Sequence, residues 1–426
     1  MLTALLFSII TLMGVLPIPQ DTLSLDDIHA QVEASYPLAQ KIDLQNEITE
    51  LNKKIAGTAA YPQINFRATA TYQSEVTELP LPSGGQFTAP ELSKDQYKAT
   101  VEASQTIYNS GAVSIKKELE KIRGQGKNKA TEVEVRQIKE QVNQVFFGIL
   151  LAQEQLRVIS TLMKNLRAQI KEVSSKVEHG VLLPSQKYTL EAELINTRQD
   201  SAEIESNIAS GYKMLSKLIG KEINPNTKLE MPKVNLVIED EILKKRPEYE
   251  LFQSNREVLS YQKELAKTEK WPTLSAFGST TYGRPGYNVF DDNLHAFYMV
   301  GFRLQWNFWN ARNAVKKEQI YELQQKIISE EERAFERQLK ASLSKIREQI
   351  ALFEEKLKQD QQIIALREKV VDEKASQMKN GSVTATEYIT ELNKVTQARL
   401  SQMIHQTKLV QSKIDYQTTL GISKYR

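Results

Sequence analysis

A chain of 426 residues, with 56 basic residues, 53 acidic residues and a net formal charge of +3, is long enough for several domains or one extended one. Its charges form no basic block, which argues against nucleic acid as a partner. Four His and no Cys leave little material for a metal or thiol centre.

In chain order, residues 1–20 carry no charge, and Leu2 to Leu16 is an apolar run. About 20 apolar residues are needed to span a bilayer as a helix, so the run reads as a secretory signal peptide. No other uninterrupted run reaches that length, so an exported protein without helical membrane spans is expected. The remainder, residues 21–220 and 241–426 around a connection at 221–240, reads as one structural unit repeated. Ser24 and Asp27 suit a helix N-terminus, with Leu23 placed to staple onto Ile28. That helix runs toward Tyr36 and Pro37, and a second helical stretch, Leu38 to Ala60, ends at Tyr61 and Pro62.

The period then changes. From Ile64 to Tyr72 apolar and polar residues alternate, and after a Pro- and Gly-rich loop (Thr77 to Asp95, with Ser83, Gly84 and Gly85) the alternation resumes at Tyr97. This is a β-hairpin over residues 62–108 with a long loop. A long helix is expected over 112–178, where Gly124, Gly126 and Gly148 are the only interruptions and His179 and Gly180 the stop. Ser185 is expected to cap a return helix over 185–219. The second half gives a hairpin at 272–309, a long helix at 313–380 and a return helix at 386–420 capped by Thr386. Its long helix has neither Gly nor Pro, and its apolar residues recur every three or four positions, from Ile320 to Val370. At 1.5 Å per residue it would extend about 100 Å, which requires long neighbouring helices, as in a coiled coil.

The repeat rests on matched anchors. Pro37 and Pro247, Tyr61-Pro62 and Trp271-Pro272, and Tyr72 and Tyr282 are each displaced by 210 positions. Beyond the hairpin the displacement falls to 200 or 201, pairing Gln105 with Gln305, Gly180 with Gly381 and Gly220 with Gly421. The change falls in the hairpin loop, where insertions are tolerated.

Four strands of this length suit a tilted bilayer crossing, but lipid forbids an open sheet edge, and membrane barrels start at about eight strands. A membrane barrel would therefore be shared between chains, and three chains supply twelve strands. Arg67, Lys98, Glu102 and Arg303 on the polar face suit a wet lumen, and aromatic residues near the strand ends suit an interfacial girdle. The alternative on pattern alone is a soluble sheet covered by helices. The mean hydropathy of −0.44 speaks against a helical membrane protein but allows a short barrel on water-exposed helices.

Catalytic chemistry is not evident. His29, His179, His295 and His405 share no ligand spacing, Ser83-Gly84-Gly85 lacks the Lys of a phosphate loop, and Glu330 to Glu332 reads as a solvated face. No nucleophile sits beside a partner base, so neither an enzyme nor a cofactor is expected.

With this order of elements, the sequence resembles the TolC family of outer-membrane efflux proteins over essentially the whole mature chain. Leu23 to Ile28 followed by Tyr36-Pro37 looks like the family's opening helix, and Arg246-Pro247-Glu248 looks like its Arg-Pro-acidic signature. Tyr61-Pro62 and Trp271-Pro272 stand where relatives enter their hairpins. The resemblance implies a mainly α fold with a small β part. Long coiled-coil hairpins would build a periplasmic tunnel, and two β-hairpins per chain would enter a twelve-stranded barrel in a homotrimer. It implies a passive exit duct of a tripartite efflux pump or type I secretion system in a Gram-negative outer membrane. Its partners would be outer-membrane lipid, a periplasmic adaptor and an inner-membrane transporter of the ABC or RND type, with no nucleic acid.

The family's periplasmic turns resemble Gly180 to Ser185 and Gly381 to Thr386. The resemblance implies adaptor contact at Gly180, Val181, Ser185, Gly381, Ser382 and Thr386. Relatives close the motif with Asp, where this chain has Gln186 and Glu387, the two candidates for an aperture. Rival readings are a periplasmic adaptor, which would carry a single helical hairpin between Gly-rich β-modules, or a soluble coiled-coil scaffold, which needs no amphipathic strands.

Overall fold

The computed structural model describes residues 22–35, 37–76, 93–225, 227–234, 246–288 and 291–422. The expected signal peptide, Tyr36, most of the first hairpin loop and part of the 221–240 connection lie outside them. The first elements are β1 (Thr22–Leu23), which pairs in parallel with β4 (Lys228–Leu229), and α1 (Leu25–Ser35). α1 opens on a reciprocal cap. Asp27 N–H donates to Ser24 Oγ at 3.2 Å, and Asp27 Oδ2 accepts from the Ser24 N–H at 3.3 Å and from its hydroxyl at 2.6 Å. Leu23 and Ile28 are both buried beside it, as a hydrophobic staple requires.

α2 (Pro37–Thr58) and α5 (Pro247–Thr268) are both 22 residues long and both open on Pro, whose missing N–H costs nothing at a first helical position. Both end on a Thr hydroxyl that donates to the carbonyl three residues back, Ile55 O and Leu265 O, each at 2.7 Å. The strands β2 (Gln63–Tyr72), β3 (Asp95–Tyr108), β5 (Thr273–Arg284) and β6 (His295–Gln305) form one antiparallel sheet in the order β2-β3-β5-β6.

The long helices are α3 (Ala112–Glu178), of 67 residues, and α6 (Phe308–Lys379), of 72. Each is followed by a 36-residue helix, α4 (Pro184–Ile219) or α7 (Ala385–Leu420). α3 runs unbroken through the three glycines that interrupt its pattern. At Gly124 a Cβ would stand 2.2 Å from Thr49 Oγ1 of α2, so the glycine there serves close helix approach. α6 starts earlier than the alternation suggests, and Phe308, expected on the hairpin, is its first residue. The cause is Asn307, whose Oδ1 accepts the Trp309 N–H at 3.1 Å and caps the helix immediately after the strand.

The chain divides into two compact units. The first comprises residues 1–39, 133–246 and 337–426 and contains two apolar clusters. One joins Leu25, Ile28 and Val32 of α1 to Val142, Phe146, Phe147 and Leu150 of α3 and to Tyr212 and Leu215 of α4. α3 is the one described helix whose length and composition would suit a bilayer, but these buried residues commit its apolar face to protein. The other cluster joins Leu166 and Val173 of α3, Leu190 of α4, Met378 of α6 and Tyr388, Ile389 and Leu392 of α7, beside the two helix turns. The second unit, residues 40–132 and 247–336, holds the sheet with the α2, α5 and adjoining parts of α3 and α6. There Asn128 Nδ2 donates to Asn46 Oδ1 at 2.7 Å, Lys129 pairs with Glu250 at 2.6 Å and Lys263 with Glu322 at 2.6 Å. Those contacts set the helix order α2-α3-α5-α6, the same order as the strands that adjoin each helix in the chain.

Candidate functional site

Register fixes what each face of the sheet carries, because residues directly opposite one another share a face. One face presents Ile64, Phe66, Ala68, Ala70 and Tyr72 of β2, Tyr97 and Val101 of β3, Leu274 and Tyr282 of β5, and Tyr298, Val300, Phe302 and Leu304 of β6. No described residue covers it: Tyr298 is 80 % exposed and Val300 74 %. Among the described strand residues its charges are Asp95 and Arg284, and these pair with each other at the strand ends. The opposite face is mainly polar, with Phe277, Phe297 and Met299 as its large apolar members. It carries Asn65, Arg67, Thr69 and Thr71, then Gln96, Lys98, Thr100 and Glu102, then Ser275, Ser279 and Thr281, then Arg303. All four residues proposed from the sequence for a lumen therefore share one face.

β2 and β6 each have a partner on one side only, so the sheet has two open edges. An uncovered apolar face with two unpaired edges is an aggregation hazard in water and is allowed in lipid only if closed. Where β6 meets α6, the Trp306 and Phe308 rings lie 4.4 Å apart, the Trp306 indole N–H donates to Lys270 O at 3.1 Å, and Trp271 and Trp309 are exposed nearby. Amphipathic rings at such a boundary suit a membrane–water interface.

The two helix-to-helix turns superpose in their hydrogen bonding at a displacement of 201 positions. Gly180 (φ +72°) donates to Val177 O at 3.0 Å and Val181 to Lys176 O at 2.8 Å. Gly381 (φ +73°) donates to Met378 O at 3.1 Å and Ser382 to Gln377 O at 2.9 Å. Both are Schellman stops, in which a left-handed glycine lets the chain double back. Lys176 Nζ reaches from α3 to Lys379 O at 2.8 Å and ties the two turns together.

The next residues differ from expectation. Neither Ser185 nor Thr386 caps a helix, since each lies at the second position inside one. Leu183 is the N-cap of α4, without a side-chain bond, because Pro184 with its fixed φ takes the first helical position. Thr384 caps α7: its Oγ1 accepts the Glu387 N–H at 3.3 Å, and the Glu387 carboxylate accepts the Thr384 N–H at 3.1 Å. Glu387, one aperture candidate, is thus engaged in a capping box and exposed. Gln186, the other, is half-buried, and no side-chain bond to its Oε1 completes a box with Leu183. The turns also expose Val181 and, more than the sequence suggested, Leu183 at 67 %. Below them burial raises the Tyr388 hydroxyl pKa, with Asp372 and Glu172 adding to the shift.

Residues 33–221 match the family model described as outer membrane efflux protein. Over this segment the chain is similar to that family. No curated protein sequence matches the chain. Among solved structures, CusC aligns at 14 % identity over 93 % of this chain and 92 % of its own, with a TM-score of 0.74. The outer membrane protein VceC of Vibrio cholerae aligns at 11 % over 93 % and 96 %, with a TM-score of 0.70. The outer membrane channel CmeC of Campylobacter jejuni aligns at 12 % over 93 % and 85 %, with a TM-score of 0.68. At such identities the likenesses establish the fold. That fold is one of long helices with strands for a barrel.

Proposed function

We propose that this efflux-family chain is one of three identical subunits of a passive outer-membrane exit duct. The observation that carries the reading is the sheet with a bare apolar face, a polar opposite face and two open edges. Such a sheet can be stable in lipid only by joining β6 of one copy to β2 of the next until the ring closes. Two copies would give eight strands, whose interior side chains fill; three give twelve and leave a passage. The outer helices support the same closure. α2 exposes Leu44, Ile48, Leu51 and Ile55, and α6 exposes Ile320, Leu323 and Ile327, each an apolar stripe on an edge helix of the unit. α6 of one copy packing on α2 of the next would cover both.

In this reading the turns at Gly180–Ser185 and Gly381–Thr386 receive a periplasmic adaptor. An inner-membrane transporter of the ABC or RND type supplies substrate and energy, in an efflux pump or a type I secretion system. The exposed Val181 and Leu183 offer apolar contact there, Ser382 and Thr386 polar contact, and opening follows from an adaptor that binds the open turns more tightly than the closed ones. The deciding experiment is detergent extraction of outer membranes followed by mass measurement of the native complex. A trimer is expected. A carbonate-extractable monomer or dimer would overturn the reading.

A further inference from the structure

The polar face of the sheet is not neutral. Among the described strand residues it carries three basic side chains, Arg67, Lys98 and Arg303, against one acidic side chain, Glu102. The one carboxylate is already claimed, since Arg303 approaches Glu102 at 4.0 Å while its guanidinium lies 4.9 Å from the centre of the Phe277 ring. Among the described residues no ion pair engages Arg67 or Lys98. Arg67 lies opposite Thr100, which continues to Thr281 and Phe297, and Lys98 lies between Thr69 and Gly283, which continues to His295. Those two rows are the ones toward the hairpin loops, so the cationic pair sits on the half of the sheet farther from the helices. The charges on the opposite face cancel within the Asp95–Arg284 pair and do not offset it.

We infer that Arg67 and Lys98 make the outer half of this barrel an anion-preferring passage, a selectivity for anionic solutes written into β2 and β3. The inference rests on the duct reading, because a cationic band acts on solutes only where its face lines a lumen. In a closed ring each copy contributes the same two uncompensated cations to one band. A charged, low-dielectric channel concentrates ions of opposite sign by factors of roughly 10 to 1,000, and salt reduces the effect.

The absence of Cys makes the test direct. Thr69, the register partner of Lys98, is replaced by Cys in the full chain, and the trimer is reconstituted in lipid vesicles. Rates of modification by an anionic and a cationic methanethiosulfonate reagent are measured and scaled to a free thiol. The scaled anionic rate is expected to exceed the cationic one roughly tenfold at low salt and to approach it at 1 M salt. With Arg67→Gln and Lys98→Gln added, in protein shown to remain trimeric, the ratio is expected near unity. Equal scaled rates in the parent, or a preference that survives the double change, would overturn the inference and leave the trimeric duct standing. A Thr69→Cys unreactive to both reagents in a verified trimer would overturn it by removing the wet lumen. Failure to recover a trimer from Cys-free protein strikes the duct reading itself.

Discussion

His29 shows how one buried side chain can set a pH limit. It is 3 % exposed, and its Nε2 meets Asn143 Oδ1 at 2.7 Å. Burial lowers its pKa to about 4, the Asn143 bond opposes the shift, and Lys139 adds to it. Because the unfolded chain holds this proton up to about pH 6.5, the neutral ring's contribution is complete above that value and disappears as pH falls toward 4. The loss is about 3 kcal/mol at most, read as faster hydrogen exchange of α1 amides at pH 5 than at pH 7.5 after correction for intrinsic rates. His29→Gln should flatten the dependence, and an unchanged slope would exclude His29 as its source. Asp415 has the opposite sign. Burial raises its pKa to about 6, Glu140 adds to the rise and Lys408 opposes it. Its carboxyl is tolerated when protonated and penalised as pH rises from about 4 through 6. Asp415→Asn should therefore stabilise the α7 C-terminal half by about 2 kcal/mol at pH 7.5 and have little effect near pH 4. Between pH 4 and 6 the two groups pull in opposite directions, so exchange must be read separately on α1 and α7.

At the scale of elements, the two return helices test capping within one chain. α7 begins with Thr384 and Glu387 bonded reciprocally, whereas α4 begins with Leu183 and Gln186 and has no side-chain cap. Thr384→Val should cost the first turn of α7 about 1 kcal/mol. Leu183→Thr should stabilise the first turn of α4 by a similar amount, since it completes a Thr-x-x-Gln box and Leu183 buries little surface. Hydrogen exchange at the two turns checks both changes, and equal protection in parent and variants would show that packing, not capping, holds these ends. The pair also shows what the sequence could express. Gly180 and Gly381 were legible as stops because few residues other than glycine accept a left-handed backbone. The cap of α7 is ambiguous in the sequence because hydroxyls stand at both Thr384 and Thr386, and only the point where the backbone enters the helix selects between them. The Thr384-x-x-Glu387 spacing and the Pro184 first-position signal were available and point to the structure's answer. The start of α6 is hidden in the sequence for a related reason. Trp306 and Phe308 continue the strand's alternation, while Asn307 between them ends it with a side-chain bond that periodicity does not register. Face assignment was legible in the strands because a period of two leaves a polar and an apolar side whatever the register. The open edges and the Asp95–Arg284 pair depend on strand order, which no single stretch of sequence contains.

For the whole molecule, closure demands that strand edges and helix stripes be satisfied by the same neighbour. The stripe of α2 (Leu44, Ile48, Leu51, Ile55) and that of α6 (Ile320, Leu323, Ile327) lie on the two outermost helices of a unit whose outermost strands are β2 and β6. Each stripe is apolar, exposed and spaced for one helix face, and burial of a Leu or Ile from full exposure contributes about 1.5–3 kcal/mol. A charge placed in either stripe should then weaken association without unfolding the subunit, because neither position supports the chain's own core. Ile48→Glu and Leu323→Glu are each expected to shift the trimer toward monomer in detergent. An Ile48→Glu, Leu323→Lys pair should recover part of the loss if the two stripes meet, since opposite charges would then face each other across the interface. Native mass spectrometry gives the trimer fraction, and circular dichroism of the same samples shows whether helix is retained. Loss of trimer with loss of helix would mean the stripes support the subunit itself. Unchanged trimer in both single variants would mean that strand pairing alone closes the ring. Recovery by the charge pair would identify α6 against α2 as the helical half of the contact, continuous with β6 against β2.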